Sequence, residues 1–386
     1  NAEPAAVVIK QWFRPVDGGI IFPPTYAAPS QKKGDPPVYN IDRFGDVSIR
    51  RKVMEKVGKV QTFVEAERTE QGVEHSVCTI DSIASQANRI EPAFADVIAE
   101  GKLVPKVVVR VKRKNEEGKA EEEIVNLLNA GHRAADAVVR FSSLASELEK
   151  AIRARKEGDS APLARIAPTS LVFGMWDSRG TGVKVPRLVT SIIRAYDIRE
   201  HKRSAQYFPA TDYAAAGVVA EKGEKLGKKL ADEGMAEVPA TFALGGVEAH
   251  GEIRRDAVLN LVTLRDTVAI IKNSQGEVDT GKSREATWKL QRYLLGLALV
   301  SLTWFDGKAL NLRQGCQLVG LPEKPLTRCY VNADGAEIPF DLDKQMALDY
   351  AKEAAEEFGV VAGYEGVFEA KKAKDALKKS AAEEAE

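Results

Sequence analysis

The 386-residue sequence contains few of the residues that build disulfide frameworks or metal centres. It has three cysteines, Cys78, Cys316 and Cys329, and its four histidines are widely scattered. Three cysteines in so long a chain exclude a disulfide framework, and no CxxC pair predicts a zinc site. We therefore expect neither a metal nor any other cofactor.

The sequence also lacks a net charge and a long apolar run. Lysine plus arginine equal aspartate plus glutamate, at 56 each, so the overall charge does not predict a nucleic-acid-binding protein. No signal peptide and no apolar run of membrane-spanning length occurs, which predicts a soluble, cytoplasmic protein. With 44% hydrophobic and 29% charged residues, the composition is that of a globular protein. The length predicts one large elaborated domain or two smaller ones.

Positive charge is concentrated in one stretch, residues 165–203, which carries eight lysines or arginines against three acids. Two apolar runs in it, 170–176 and 188–198, predict β-strands joined by a connection at 177–186 that is rich in Gly, Ser, Thr and Arg. Such a loop displays N–H groups, hydroxyls and cations, which bind phosphate oxygens. For this loop alone, a solvated basic turn on a core hairpin is the favoured interpretation.

A helix is predicted at residues 77–90, closed by Pro92. Beside its apolar stripe lies a second face that includes Ser85, Gln86 and Arg89 at helical spacing. Solvated helix faces are dominated by Glu and Lys, whereas hydroxyl, amide and guanidinium groups suit sugar hydroxyls and phosphates. Close packing of small side chains against a neighbouring element explains this helix equally well.

The remaining patterns predict an α+β fold. Strands are predicted at residues 5–13, 60–67, 102–113, 251–264 and 316–319, and helices at 131–156, 284–305 and from about 344 onward. Without insertions, the order approximates the βαββαβ ferredoxin-like arrangement, which is also the fold of RNA-recognition motifs. The aromatic signatures of ordinary RNA-recognition motifs are absent. RNA on such a fold would be held through its backbone more than through bases stacked on the sheet.

Five segments carry a family resemblance, at residues 79–91, 131–144, 167–195, 204–213 and 312–319. The longest reads APTSLVFGMWDSRGTGVKVPRLVTSIIRA. In these segments the chain resembles the repeated backbone subunit of type I CRISPR surveillance complexes, the Cas-seven family of the RAMP superfamily. It is most similar to the branch of subtype I-G, formerly I-U.

The resemblance implies a modified RNA-recognition-motif, ferredoxin-like palm with a helical fingers insertion and a thumb insertion. On this sequence the palm would comprise residues 1–91, 160–203 and 247–343, the fingers 92–159, the thumb 204–246 and a C-terminal helical segment 344–386. The C-terminal tail lies outside the resemblance.

The resemblance also implies a non-catalytic subunit of a CRISPR surveillance complex (Cascade) in antiviral defence. Copies would stack head to tail as a filament along one guide RNA (crRNA), each thumb kinking the guide, while exposed bases pair with target DNA. The partners would be crRNA, target DNA, further copies of the chain, and other Cascade subunits of the large, Cas-five and Cas-six types.

Because guide sequences differ, RNA contacts are expected at phosphates and 2′-hydroxyls rather than at base edges. The expected RNA-binding residues lie on the first helix, in and beside the central loop, at the thumb base and in a late loop. They are Ser85, Gln86, Asn88, Arg89, Arg165, Ser178, Arg179, Thr181, Lys184, Arg187, Gln206, Tyr207, Phe208, Arg313 and Gln314. An aromatic residue at the thumb base could wedge at the kink.

The sequence leaves two other functions open. One is a metal-dependent endoribonuclease like the backbone subunits of type III complexes, for which Asp177 is the residue to test. Against it, no base–orienter pair occurs at a motif spacing, and residues 180–184 do not match a P-loop. The other is a stand-alone RNA-binding protein with a fixed, small stoichiometry.

Overall fold

An antiparallel sheet lies at the centre of the computed structural model of this chain. The structure describes residues 3–29, 36–46, 49–57, 60–68, 74–101, 103–114, 116–213, 215–218 and 229–383. Runs of strands and groups of helices both occur in these residues, which confirms the predicted α+β class.

Twenty strands and nine α-helices have defined bounds in the described residues, which also include a helical turn at 229–232. The strands are β1 (Pro4–Pro15), β2 (Thr25–Tyr26), β3 (Val38–Tyr39), β4 (Ile41–Asp46), β5 (Ile49–Val57), β6 (Val60–Arg68), β7 (Glu74–Asp81), β8 (Lys106–Lys114), β9 (Ala120–Asn126), β10 (Met175–Trp176), β11 (Lys184–Val185), β12 (Val189–Tyr196), β13 (Ile198–Tyr207), β14 (Val238–Ala249), β15 (Ile253–Asn260), β16 (Leu310–Arg313), β17 (Cys316–Gly320), β18 (Thr327–Asn332), β19 (Glu337–Pro339) and β20 (Gly363–Val367). The helices are α1 (Ile83–Gly101), α2 (Ala137–Arg140), α3 (Ala145–Lys156), α4 (Ala161–Ile166), α5 (Thr169–Val172), α6 (Leu261–Arg265), α7 (Thr280–Thr303), α8 (Lys344–Phe358) and α9 (Ala370–Glu383).

The central sheet has β1 and β15 at its middle. Its strand order is β16, β17, β1, β15, β12, β7, β4, and β18 pairs with both β1 and β19. Neighbouring strands on this path are antiparallel; Leu259 of β15 lies between Val7 of β1 and Val189 of β12. Alternate residues of these three strands are buried, so one face of the sheet carries the core.

Two long helices cover the buried face: α1 packs on β12, and α7 packs on β12 and β15. Leu290, Leu294 and Leu297 of α7 are fully buried, and each stabilises the fold by about 1.5–3 kcal/mol. α8 then packs along α7. The two helices approach closely at Gly296, where a Cβ atom would lie only 2.8 Å from the Cα atom of Ala351.

A smaller sheet joins distant parts of the chain. β8 and β9 form an antiparallel hairpin, and the late strand β20 pairs in parallel with β8. A Cβ atom at Gly363 would collide with the carbonyl oxygen of Lys106, so the pairing requires glycine there. Residues 344–386 were predicted to be helical, but the strand β20 lies among them. Residues 92–159 were predicted to be a helical insertion, but they contain a β-hairpin beside their helices.

The predicted helix at 77–90 is wrong at both ends. Residues 74–81 form β7, in which alternate residues Ser76, Cys78 and Ile80 are buried against the sheet. α1 begins only at Ile83 and continues through Pro92 to Gly101. The apolar stripe misled the prediction because Ile80 on the strand and the first buried residues of the helix face the same core.

Two other predictions need correction. Residues 170–176 do not form one strand: α5 occupies the first three residues of the run and only Met175–Trp176 pair as β10. The predicted helix at 131–156 is divided into the 3₁₀ turn Arg133–Ala135, α2 and α3. Ser142 interrupts it, since its hydroxyl donates to the Val139 carbonyl oxygen and accepts from the Leu144 N–H.

The other predicted elements are confirmed to within a few residues, except that the predicted strand at 251–264 ends at Asn260. There the Asn260 side chain accepts a hydrogen bond from Thr263 N at 2.9 Å and caps α6. β13 and β14 pair with each other in a separate two-stranded sheet, from Ile198 opposite Ala249 to Tyr207 opposite Val238.

Candidate nucleic-acid interface

The central loop is closed by the short hairpin of β10 and β11. The carboxylate of Asp177 accepts hydrogen bonds from the Thr181 N–H at 2.6 Å and from the Thr181 hydroxyl at 2.8 Å. The Asp177 N–H donates to the Val183 carbonyl oxygen at 2.9 Å, and its own carbonyl accepts from Gly182 N at 2.9 Å. Gly182 has φ +73°, a conformation that favours glycine. The loop therefore holds its shape without a ligand.

This locked loop displays its polar side chains outward. Ser178, Arg179 and Lys184 are exposed, whereas Asp177 is buried. Thr181, a predicted RNA contact, is half-buried and is used to hold Asp177.

The loop forms one wall of a cleft of about 560 Å³. The cleft lies between α1, residues 131–140 and the loop. Five of the predicted RNA-binding residues line it, and all five are exposed: Asn88, Ser178, Arg179, Lys184 and Arg187. Three cations, one hydroxyl and one amide thus converge on one concave surface, and such groups bind phosphate and ribose oxygens.

The cleft carries positive charge that the protein does not neutralise. Arg140, Arg179, Lys184 and Arg187 line it, and among the described residues none of the four forms an ion pair within 4.0 Å. The acid that lines it, Asp177, is already hydrogen bonded within the loop. An anion would gain the full attraction of these cations, about 1–4 kcal/mol for each pair at contact distance near a surface.

Arg140 is a cation that the sequence did not single out. It is half-buried, and its Nε atom is buried without a hydrogen-bond partner in the described structure. Its guanidinium carbon lies 4.7 Å from the centre of the Phe141 ring, a contact that orients the side chain at the cleft wall. A phosphate in the cleft would meet a guanidinium that is already oriented.

A buried ion pair joins the cleft walls. Arg133 donates from Nε to Glu91 on α1 at 2.8 Å and from Nη1 to the Gly174 carbonyl oxygen at 3.0 Å. Burial raises the pKa of Glu91, and the adjacent Arg133 opposes that rise. Arg133 has the left-handed φ of +53°, which the bonds at its guanidinium compensate. Because its charge is neutralised, Arg133 positions the walls and adds little positive field to the cleft.

The polar face of the first helix converges on one carboxylate, that of Asp81. Asp81 is fully buried and accepts from Ser85 Oγ at 2.7 Å, Gln86 Nε2 at 2.5 Å, Arg89 Nε at 3.0 Å and an Arg313 nitrogen at 3.3 Å. Four of the predicted RNA-binding residues are therefore brought together, around an acid that the sequence reading missed. Asp81 was difficult to single out from the sequence because one of its partners, Arg313, is distant in the chain.

The burial of Gln86 corrects its expected role. Its side-chain oxygen accepts from the Ser191 hydroxyl at 2.8 Å, and that hydroxyl accepts from Arg255 Nε at 2.8 Å. Arg255 is fully buried, which lowers its pKa to about 10. Gln86 thus joins a polar chain inside the core and presents no group to RNA in this structure.

The guanidinium groups of Arg89 and Arg313 are hydrogen bonded to the protein and also partly exposed to solvent. Arg89 also donates to the Leu312 carbonyl oxygen at 2.7 Å, and Arg313 to that of Phe22 at 3.4 Å. Their side chains remain 31% and 24% exposed. Neither lines the cleft.

The other predicted residues lie apart from the cleft. Arg165, on α4, lies with its guanidinium carbon 5.1 Å from the Phe358 ring centre, and Gln314 is exposed in the turn before β17. At the outer end of the β13–β14 hairpin, Gln206 hydrogen bonds to Glu237, and Tyr207 donates to the Gly234 carbonyl oxygen at 3.1 Å. Phe208 follows and is 64% exposed.

A family comparison bears on this cleft. The family model described as CRISPR-associated protein GSU0053 matches residues 7–200, just over half of the chain. This chain belongs to that CRISPR-associated family. No curated protein matches it. Membership of the GSU0053 family indicates a role in CRISPR defence.

All residues that line the cleft lie inside the part matched to the GSU0053 family. The described residues contain no group of three or more His, Cys, Asp or Glu side chains that could share a metal ion. None of their helices is both long and apolar enough to span a membrane.

Proposed function

We propose that this chain is the crRNA-binding backbone subunit of a type I CRISPR surveillance complex, a Cas-seven protein of the I-G branch. The observation that carries the proposal is the cleft, where cations without carboxylate partners among the described residues lie beside hydroxyl and amide groups. CRISPR effectors leave sequence reading to the guide, so the protein must hold the guide by its backbone. The cleft has the groups for that task.

The strand order supports an RNA-recognition-motif palm. β1, α1, β12, β15, α7 and β17 follow one another as β, α, β, β, α, β, with further elements inserted between them. In the sheet, the first and third of these strands are central and the second and fourth flank them. A ferredoxin-like sheet has this arrangement. Residues 92–159 and 204–246 would then be the fingers and thumb insertions.

Assembly as a filament follows from the same proposal. Copies would repeat head to tail along one crRNA, with target DNA paired to the exposed bases. Equal numbers of acidic and basic residues suit such an assembly, since uniformly basic copies would repel one another away from the RNA. Cascade subunits of the large, Cas-five and Cas-six types would complete the complex in the cytoplasm.

We propose binding rather than catalysis at the central loop. The carboxylate of Asp177 is buried, and Thr181 donates to it twice. Both Thr181 donors bond to the Oδ2 atom of this carboxylate and hold it within the loop, whereas a general base or metal ligand presents its oxygen lone pairs to the substrate. The arrangement supports a structural role for Asp177.

The test is the mass of the complex formed with guides of two spacer lengths, measured by light scattering. We expect the longer guide to add whole subunits of 42.0 kDa. A mass that does not change with guide length would instead indicate a stand-alone RNA-binding protein. RNA cleavage that Asp177→Ala abolishes would indicate a ribonuclease.

A matched pair of variants tests the cleft. Arg179→Ala should weaken binding about equally for every guide sequence and lower the slope of log affinity against log salt by roughly 1, as expected of a phosphate contact. Arg153→Ala is the control, because Arg153 is exposed on α3 and pairs with Glu149. Equal effects of the two variants would contradict the assignment of the cleft.

A further inference from the structure

An exposed tryptophan stands at the cleft among its cations. Trp176 lines the cleft and is 62% exposed, while its neighbours Met175 and Asp177 are buried. Single exposed apolar residues are common on protein surfaces, so exposure by itself means little. What distinguishes Trp176 is its position in a basic concavity, on a loop that is held from within.

The indole is also mounted rigidly. Trp176 pairs with Lys184 in the β10–β11 hairpin, and the Asp177–Thr181 bonds begin at the next residue. The Lys184 Nζ atom lies 5.7 Å from the centre of the indole ring. An aromatic surface and a cation that could hold a phosphate are therefore in contact with each other. Single-strand binding proteins combine these two elements.

We propose that Trp176 is a stacking platform for one unpaired base of RNA bound in the cleft, with the adjoining phosphates held by Arg179, Lys184 and Arg140. This inference rests on the proposed RNA-binding function and adds the residue that contacts a base. A cleft of about 560 Å³ is of the size that holds one small ligand, and a duplex presents no open base face to an indole.

Stacking agrees with binding that is independent of sequence. Every base has a π face, so an indole can stack on any of them without reading hydrogen-bonding edges. The contact is at the loop rather than on the sheet surface where ordinary RNA-recognition motifs stack bases. A guide of any spacer sequence could therefore use it.

The test measures binding of a uridine oligonucleotide and of an abasic oligonucleotide of equal length, which keeps the phosphates and lacks the bases. Trp176→Ala should weaken binding of the uridine oligonucleotide roughly tenfold, and Trp176→Phe should restore most of it. Neither variant should alter binding of the abasic strand. Trp288→Ala is the control, because Trp288 is 50% exposed on α7 outside the cleft and should have no effect.

Each other outcome overturns the inference. If Trp176→Ala weakens both oligonucleotides equally, the indole only supports the loop. If it weakens neither, no base stacks there although the protein binds RNA. Trp176→Ala that lowers self-association without RNA, seen by light scattering, would place the indole between copies instead. Wild-type protein that binds neither oligonucleotide would refute the proposed function itself.

Discussion

Replacement of Asp81 by asparagine should destabilise the protein strongly although the two side chains have almost the same shape. The Asp81 carboxylate is fully buried and receives hydrogen bonds from Ser85, Gln86, Arg89 and Arg313. An asparagine keeps one acceptor oxygen and turns the other into an N–H₂ donor. The charge that held two guanidiniums would be lost, and donors would face donors.

The magnitude follows from the exposure of the partners. A hydrogen bond to a charged group contributes about 1.5–3 kcal/mol, so the loss of two would cost about 3–6 kcal/mol if both guanidiniums stayed buried. Arg89 and Arg313 are 31% and 24% exposed, so each regains part of that energy from water. We expect Asp81→Asn to lower the free energy of unfolding by about 2–3 kcal/mol.

The assay is urea unfolding followed by circular dichroism, with Glu149→Gln as the control. Glu149 forms an exposed i,i+4 pair with Arg153 on α3, so its variant should lose less than about 0.5 kcal/mol. Adding Arg89→Met to Asp81→Asn should recover part of the loss, because one stranded cation is removed. If Asp81→Asn unfolds at the same urea concentration as Glu149→Gln, the carboxylate does not organise this network.

Three further predictions concern the loop and the thiols. Thr181→Val keeps the shape of the side chain but removes the hydroxyl that bonds to Asp177. Amide hydrogen exchange in residues 178–183 should therefore accelerate by roughly tenfold. Unchanged exchange would refute the locked loop. Burial raises the pKa of Cys78 to about 12 and that of Cys316 to about 11, so iodoacetamide at pH 8 should label Cys329 in the native protein and all three cysteines after unfolding. The buried thiols should also lower stability as the pH rises from about 9, where unfolded thiols ionise, toward 11, and Cys316→Ala should flatten that fall in melting temperature.

Local periodicity correctly predicted the elements in which a single pattern continues from end to end. The first strand, the long helix α7 and the strand at Cys316 were placed correctly because each carries its own alternation or helical stripe. Residues 74–90 failed because a strand and a helix meet there and both face the core. Apolar residues at helical spacing can continue across such a junction even though the backbone changes there from strand to helix.

The site was predicted where it depends on one stretch of chain. The exposed cations of residues 179–187 were found from composition, and Asn88 was expected on the first helix once the resemblance implied RNA binding. The second wall was missed because Arg140 reaches the cleft only through the folding of residues 131–140, with Arg133 in a left-handed conformation. Asp81 was missed because one of its donors, Arg313, is 232 residues away. No local pattern reports such contacts.

The late strand β20 pairs in parallel with the early strand β8, so part of the fold can form only late in synthesis. Residues 141–143, next to Arg140 in the cleft wall, are held by main-chain bonds from residues 367–369, and Ser143 and Val367 are 224 residues apart. At about 5–20 residues per second, a ribosome needs roughly 10–45 s to span that distance. During that interval a nascent chain already carries the basic loop but has one wall of the cleft unanchored. Each copy therefore acquires its complete cleft late, after most of its sheet can already have formed.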